Sequence, residues 1–280
     1  MVARSVITVR QKRLGRELRK LRELAGLGLR EAARATGINE GKLSNVEAGR
    51  VGVSSERVRF LASHYGVGDA GLVDALAAMA AERGRGWWEE HREAVPAGYM
   101  RVAELEHHAV ELRTFQTVHV PGLLQTEKQM RGIFASSVPS LSEEQREARV
   151  RFRLRRQEVL GSVTYAAVVH EAALRLRAAD REVAREQLLH ILEQSERSHV
   201  SVRVVPFDVD GFAGISNPVT YANGSVPQLD TVLVDTQHGG AYLDAEAQLN
   251  RYRTVLATIE KVALSAAESR DFIEDLVRQS

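Results

Sequence analysis

The feature that most constrains this chain is a four-residue connection, Thr36-Gly37-Ile38-Asn39, between two short amphipathic segments. Gly37 suits the left-handed backbone that ends a helix, and Asn39 is a favourable N-cap for the next one. Hydrophobic spacing predicts helices over residues 30–36 and from residue 40 to about 48. Two helices joined by so short a turn predict a helix-turn-helix.

Three further amphipathic segments flank this pair. Helical spacing predicts a first helix that stops at Gly26, a fourth capped by Ser54 or Ser55, and a fifth from Asp69 to about Arg83. The sequence therefore predicts a five-helix DNA-binding domain over residues 1–83.

After this head the pattern changes to helices alternating with short β-rich runs. Helices are predicted at about 121–135, 142–160, 180–197, 244–263 and 266–278, and strands at 163–170, 200–206, 219–221 and 231–235. We expect a linker over residues 84–100, with a hinge at Gly84-Arg85-Gly86 and then a tryptophan pair, and a C-terminal α+β domain over residues 101–280. The predicted fold class is mainly α with a minor β part.

Composition excludes several classes of protein, and the distribution of charge indicates the kind of partner. The chain has no cysteine, which excludes disulfides, thiol nucleophiles and Cys-based metal sites, and no apolar run approaches the roughly 20 residues of a membrane helix. A cytoplasmic, nucleoid-associated protein is therefore expected. Residues 1–65 carry 14 Lys and Arg against 6 Asp and Glu, whereas the remainder carries 24 against 31. A basic N-terminal part (the head), followed by an acidic remainder of the chain (the body), indicates that the head binds a polyanion.

The second helix of a helix-turn-helix places its N-terminal, outward side chains in the DNA major groove. Lys42 suits guanine O6 and N7, and Asn45 suits an adenine edge. The predicted base contacts are Glu40, Gly41, Lys42, Ser44 and Asn45. The predicted phosphate contacts are Arg13, Arg16, Arg30 and Arg50. The alternative is that these charges form an ordinary solvated face, but the turn glycine, inward apolar spacing and basic excess together favour DNA.

The closing pattern Val46-Glu47-Ala48-Gly49, with the segments before it, resembles the Cro/C1-type (XRE) helix-turn-helix. The resemblance covers roughly residues 10–68. That family usually has Ser or Thr followed by Gln at the start of the second helix, and the Gln binds a phosphate. Here these positions hold Gly28 and Leu29, so affinity is expected to depend more on Arg30, Arg50 and dimerisation.

The rest of the chain resembles the WhiJ-like regulators of actinobacteria, which join such a head to one large C-terminal domain. The most specific block is Val120-Pro121-Gly122-Leu123-Leu124-Gln125-Thr126-Glu127. The resemblance implies a transcriptional regulator, often encoded beside a small acidic protein that it binds. It implies neither an operator nor a ligand.

Residues that line a ligand or partner pocket in the body are predicted less sharply. The candidates are Trp87, Trp88, Phe115, Gln125, Thr126 and Glu127. Each has a second interpretation: the tryptophan pair suits a buried lock between domains, and the three polar residues suit a solvated helix start. Tyr221, Tyr242 and Tyr252 either share a pocket or pack in the core.

No enzyme class is supported by the sequence. His170-Glu171 lacks the second histidine of a zinc-protease motif, His107, His108 and His119 lack a fourth ligand, and no GxSxG, phosphate loop or GxGxxG is present. No cofactor or metal is expected.

We therefore predict a homodimeric, sequence-specific DNA-binding transcriptional regulator whose body senses a partner protein or a small-molecule effector. The alternative is an antitoxin-like interaction protein that binds a small acidic partner and regulates its own synthesis.

Overall fold

The computed structural model describes residues 7–82, 86–210, 212, 217–236 and 238–280. The chain divides into two compact units, Met1–Trp87 and Trp88–Ser280. Residues Gly84 and Arg85 of the expected hinge lie outside the described residues. Residues 88–100, expected as linker, belong to the second unit, where Trp88 is buried.

The first unit is helical, which confirms the predicted head. Its helices are α1 (Val9–Leu24), α2 (Leu29–Thr36), α3 (Glu40–Glu47), α4 (Ser55–His64) and α5 (Ala70–Ala81). Side chains of Thr8, Asn39, Ser54 and Asp69 cap four of these helices by accepting a backbone N–H three residues on. The core consists of inward apolar residues at helical spacing, among them Leu18, Leu43, Val58, Leu61 and Leu76.

The second unit alternates helices with strands, as expected for an α+β domain. Its helices are α6 (Ala97–His107), α7 (Glu127–Ala135), α8 (Glu143–Gln157), α9 (Glu171–Arg175), α10 (Arg181–Gln194), α11 (Glu246–Val262) and α12 (Ala266–Gln279). Its strands are β1 (Glu111–Gln116), β2 (Thr164–His170), β3 (Val200–Val205), β4 (Val219–Asn223), β5 (Thr231–Thr236) and β6 (Gly239–Leu243). The capping boxes at Ser142 and Ser265 are both formed.

Two differences from the predicted elements have physical reasons. The single helix expected at 121–135 is a short 3-10 turn, Gly122–Leu124, followed by α7, because the Thr126 side chain accepts from Gln129 N and so starts a new helix. The sequence also missed α6, α9, β1 and β6. The last of these strands contains two glycines, which removes the side-chain alternation on which a strand prediction depends.

The six strands form one mixed sheet in the order β3-β2-β1-β4-β5-β6. The first three strands in the chain are parallel, with Leu112 opposite Tyr165, and their connections run through helices. Strands β4, β5 and β6 add antiparallel neighbours on the other side of β1. Short turns suffice for such antiparallel neighbours, whereas parallel pairs need a helical crossover.

Helices cover both faces of the sheet. On one face α10 and α12 pack through Ile191 and Ile273 against β1, β2 and β3. On the other face α11 packs through Leu256 and Ile259 against β4 and β5. Within the described ranges, no helix combines the length and apolar character needed to cross a membrane.

Candidate functional site

The N-terminal turn of α3 is presented outward in the first unit. Gly37 adopts a left-handed backbone (φ 65°) that turns the chain between α2 and α3. Asn39 then caps α3 by accepting from Lys42 N at 3.2 Å. Glu40, Gly41 and Lys42 are all exposed on this turn. A helix start with free side chains and outward N–H groups is the geometry that enters a major groove.

A buried ion pair fixes the other end of α3 to α1. Arg22 donates from Nε to Glu47 Oε1 at 2.7 Å and from Nη2 to Oε2 at 2.9 Å, and its Nη1 donates to Leu27 O at 2.7 Å. Both side chains are at most 8% exposed. Burial next to Glu47 raises the pKa of Tyr65 to about 12. The glutamate of the closing motif is therefore a structural anchor that orients the recognition helix.

The two helices approach one another very closely at Gly15. A Cβ built at this residue would lie 2.5 Å from Glu47 O and 2.7 Å from Val46 O. Gly49, which follows α3, has φ 70°, and a Cβ built at this residue would lie 3.0 Å from Gln11 O. Glycine is required at both positions, at the first for space and at the second for its backbone conformation.

The predicted DNA contacts have different environments. Glu40, Gly41 and Lys42 are exposed, whereas Ser44 and Asn45 are half-buried. Among the phosphate candidates Arg16, Arg30 and Arg50 are exposed, and Arg30 Nε lies 4.0 Å from Glu40 Oε2. Arg13 differs, because its side chain is 8% exposed and its Nε lies 2.8 Å from Glu17 Oε1. This burial makes Arg13 less accessible to a phosphate than the other three arginines, and its contact with DNA stays a prediction.

Gly28, at the N-cap of α2, has no side chain with which to cap the helix, and the Glu31 side chain contacts the backbone there instead. Gly28 N donates to Glu31 Oε2 at 2.8 Å, and Leu29 is half-buried. The carboxylate of Glu31 therefore occupies the helix start at which the family's serine and glutamine would act. Arg34 is exposed on the same helix and was not singled out from the sequence.

The second unit contains a cavity of about 460 Å³. It lies between one face of the sheet (β1, β2, β4, β5 and β6) and helices α6, α7 and α8 together with the 3-10 turn. Alternate residues of the strands, such as Thr114 and Gln116, point into it. A volume of this size falls in the range typical of small-molecule sites.

Two arginines and one glutamate share the inner part of the cavity. Arg156 Nε lies 2.9 Å from Glu106 Oε2, and these side chains are 11% and 7% exposed. Burial raises the pKa of Glu106 to about 7, although Arg156 opposes the shift. Burial and the neighbouring Arg156 lower the pKa of Arg153 to about 10. The protein thus holds two guanidinium groups beside a single carboxyl group in a poorly solvated space.

Other titratable groups line the same cavity. Burial and Arg153 lower the pKa of His119, which favours the neutral ring. Desolvation beside the cavity raises the pKa of Asp235, whose side chain lines the cavity and also reaches solvent. The Tyr242 hydroxyl is buried and has no hydrogen-bond partner within the described part of the chain. Such shifted and unsatisfied groups in one cleft mark a candidate binding site.

Only Gln125 of the six predicted pocket residues lines this cavity. Trp88 is buried with its ring edge near His107 and His108, and Phe115 is buried on the opposite face of the sheet. Thr126 caps α7, Glu127 forms an ion pair with Arg131, and Trp87 is half-buried outside the lining.

The three tyrosines do not share one pocket. Tyr242 lines the cavity, whereas Tyr221 of β4 and Tyr252 of α11 pack in the core on the other face of the sheet. His119 is separated from the histidine pair, and the described residues contain no cluster of three potential metal ligands.

Sequence reasoning missed the charged residues of the cavity, Glu106, Arg153, Arg156 and Asp235. The two arginines lie in an arginine-rich helix that looks like a solvated face. The spacing of these residues could have indicated that the two arginines are partly buried. Arg153 and Arg156 follow the buried Val150 at intervals of three residues, so they lie on the same side of the helix as that valine.

Comparison with known proteins gives two matches. A family described as a helix-turn-helix domain matches residues 13–76, which confirms the predicted head and indicates a DNA-binding regulator. A second family, described as a domain of unknown function (DUF5753), matches residues 99–275. No curated protein and no solved structure matches the chain significantly. Because the second match covers more than half of the 280 residues, the chain belongs to the DUF5753 family and carries that domain C-terminal to a helix-turn-helix domain.

Proposed function

We propose that this protein is a sequence-specific transcriptional regulator of the XRE type whose C-terminal domain senses a ligand or partner. The observation that carries the proposal is the exposed N-terminal turn of α3, which Gly37 and Asn39 aim outward and the Arg22–Glu47 pair fixes in orientation. The net charge of +8 on residues 1–65 supports a nucleic-acid partner.

In this proposal the exposed part of α3 reads base edges and three arginines position the protein on the backbone. Lys42 donates to guanine, and Glu40 accepts from cytosine N4. Arg16, Arg30 and Arg50 contact phosphates, which adds affinity without sequence preference. The half-buried Ser44 and Asn45 contribute from the edge of this surface.

We further propose a homodimer in the bacterial cytoplasm, of the WhiJ-like group of actinobacterial regulators. Dimers of this motif bind half-sites about one helical turn, roughly 34 Å, apart, which predicts a near-palindromic operator. Regulation follows from linkage between the C-terminal domain and the head. If a molecule binds the protein more tightly when the head is in one of two arrangements, it shifts DNA affinity by at most its difference in affinity for those two arrangements.

The test is binding of the purified chain to the duplex upstream of its own gene and to a scrambled duplex, at two salt concentrations. Specific recognition gives a preference of about a thousandfold and a steep salt dependence. The absence of binding to any duplex would overturn the proposal and favour the interaction-protein alternative.

Variants separate base contacts from phosphate contacts. Lys42→Ala should cost about 1–3 kcal/mol on the operator and relax one base position. Arg50→Ala should weaken binding to every duplex and flatten the salt slope. The matched control is Arg59→Ala, which removes an exposed arginine of α4 that pairs with Asp74 of α5 and should leave both properties unchanged.

A further inference from the structure

We propose that the cavity of the C-terminal domain binds a small organic acid with an apolar body and one carboxylate, and that Arg153 binds the carboxylate. The inference deepens the sensing role suggested above and rests on it for its regulatory consequence. The binding site itself follows from the charges, contacts and shape of the cavity.

The direct contacts of the Arg153 guanidinium are with neutral groups, and Glu106 acts on it only at longer range. Arg153 Nη1 donates to Gln125 Oε1, and its guanidinium lies 4.5 Å from the ring centre of Phe134. Its buried Nε has no hydrogen-bond partner, and no described carboxylate lies within ion-pair distance of it. A poorly solvated guanidinium without a counter-ion favours an anion, and the planar fork of arginine suits a carboxylate.

The neighbouring carboxyl groups do not supply that anion. Glu106 is already paired with Arg156 at 2.9 Å. Asp235 lines the cavity but also reaches solvent, and it forms no ion pair in the described structure. Arg153 therefore lacks a direct anionic partner, although Glu106 and Asp235 both act on it at longer range and Asp235 adds negative charge on the exposed side of the cavity. This balance accepts a monoanion and disfavours a doubly charged phosphate, because the second charge would meet Asp235.

The remaining lining fits an apolar body. Its apolar part consists of Tyr99, Val102, Val120, Leu123, Ile133 and Leu233. The polar side chains of Thr114, Gln116, Thr220 and Thr236 also line the cavity. The unpartnered hydroxyl of Tyr242 provides a second polar contact for an oxygen or nitrogen of the ligand. A largely apolar cavity with a few convergent polar groups is the usual composition of a small-molecule site.

The inference is tested by titration calorimetry on the full chain with octanoate and 4-phenylbutyrate, and with the neutral amides of both acids. We expect saturable binding of at least one acid, binding of its amide weakened by about tenfold or more, and weaker binding of phenyl phosphate. Absence of binding by both acids, equal binding of acid and amide, or tighter binding of phenyl phosphate would overturn it.

Two variants locate the binding site. Arg153→Met should weaken acid binding by about 10- to 100-fold, whereas Arg155→Met, which changes an exposed arginine on the same helix, should not. Gln125→Glu places a carboxylate beside Arg153 at the expense of the hydrogen bond from Gln125 Nε2 to Val120 O, and this internal competitor should weaken acid binding by about tenfold. Unchanged affinity in Gln125→Glu refutes the inference even if Arg153→Met fails to fold.

These titrations contain no DNA, so they separate the inference from the proposed function. Specific operator binding without acid binding refutes the cavity inference alone. Acid binding that leaves operator affinity unchanged refutes the sensing role but supports the binding site.

Discussion

The Glu47→Gln substitution tests whether the closing motif of the helix-turn-helix anchors α3 to α1. The change keeps the shape of the side chain but removes its charge and turns an amide NH₂ toward Arg22 Nη2, which lies 2.9 Å from Glu47 Oε2. Arg22 then retains Leu27 O and the amide oxygen of residue 47 as acceptors, and the exposed Glu23 carboxylate lies 3.7 Å from its Nη2. Breaking a buried ion pair costs about 3–5 kcal/mol. Because Glu23 still compensates part of the charge, we expect a loss near the lower end of this range, about 3 kcal/mol.

Hydrogen exchange measured by mass spectrometry gives a local readout in the full chain. Peptides from α1 and α3 should lose protection by about a hundredfold or more, while peptides from the sheet of the second unit should be unchanged. The matched control is Asp74→Asn, which breaks an exposed inter-helix pair with Arg59 and should have little effect.

A double substitution distinguishes lost charge from lost shape. Arg22→Met combined with Glu47→Leu removes both charges and fills the space with apolar atoms, so it should recover most of the protection. If Glu47→Gln changes protection by less than about fivefold, or if the double variant is the least protected, the pair does not anchor α3 and our reasoning is wrong.

Three further predictions concern packing and pH. Gly15→Ala should cost about 1–3 kcal/mol in thermal unfolding of the head, whereas Gly68→Ala, with open space around it, should change stability by less than about 0.5 kcal/mol. Because burial raises the pKa of Glu106 to about 7, the folded state retains a proton that the unfolded chain loses above about 4.5. Stability of the second unit in urea should therefore fall with a slope of up to about 1.4 kcal/mol per pH unit across that window, and Glu106→Gln should remove the slope. Asp230→Asn should cost roughly 3 kcal/mol in urea unfolding, because the buried carboxylate accepts from Tyr221 Oη at 2.7 Å and Arg253 Nη2 at 2.9 Å.

The head was predictable because local signals determine it. The left-handed Gly37, the cap Asn39 and the inward Leu43 act within a few residues of one another, so short-range rules give the right helices. The burial of Arg13 was not predictable in the same way. Its neighbour Glu17 lies one turn away on the helix, and the sequence does not show that both face the core rather than solvent.

The cavity was not predictable, because long-range pairing creates it. Thr114 and Thr220 become neighbours only when β1 pairs with β4 across 106 positions of sequence. Arg156 and Glu106 form an ion pair between helices whose charged faces look solvated when each is considered alone. Periodicity reports that a helix has a buried face, but it does not report which polar side chains a second helix and a sheet enclose.

The block most specific to the family resemblance, residues 120–127, has a physical role in this arrangement. Its irregular backbone is satisfied by glutamine side chains: Gln157 donates to Gly122 O and Gln125 O, and Gln187 donates to Leu124 O while accepting from Thr126 N. Gln125 in turn donates to Val120 O and accepts from Arg153. Buried backbone outside helices and strands must find such partners. The same contacts hold the unpaired guanidinium at the cavity wall, so the segment that looked like a solvated helix start is better explained as the support of a binding site.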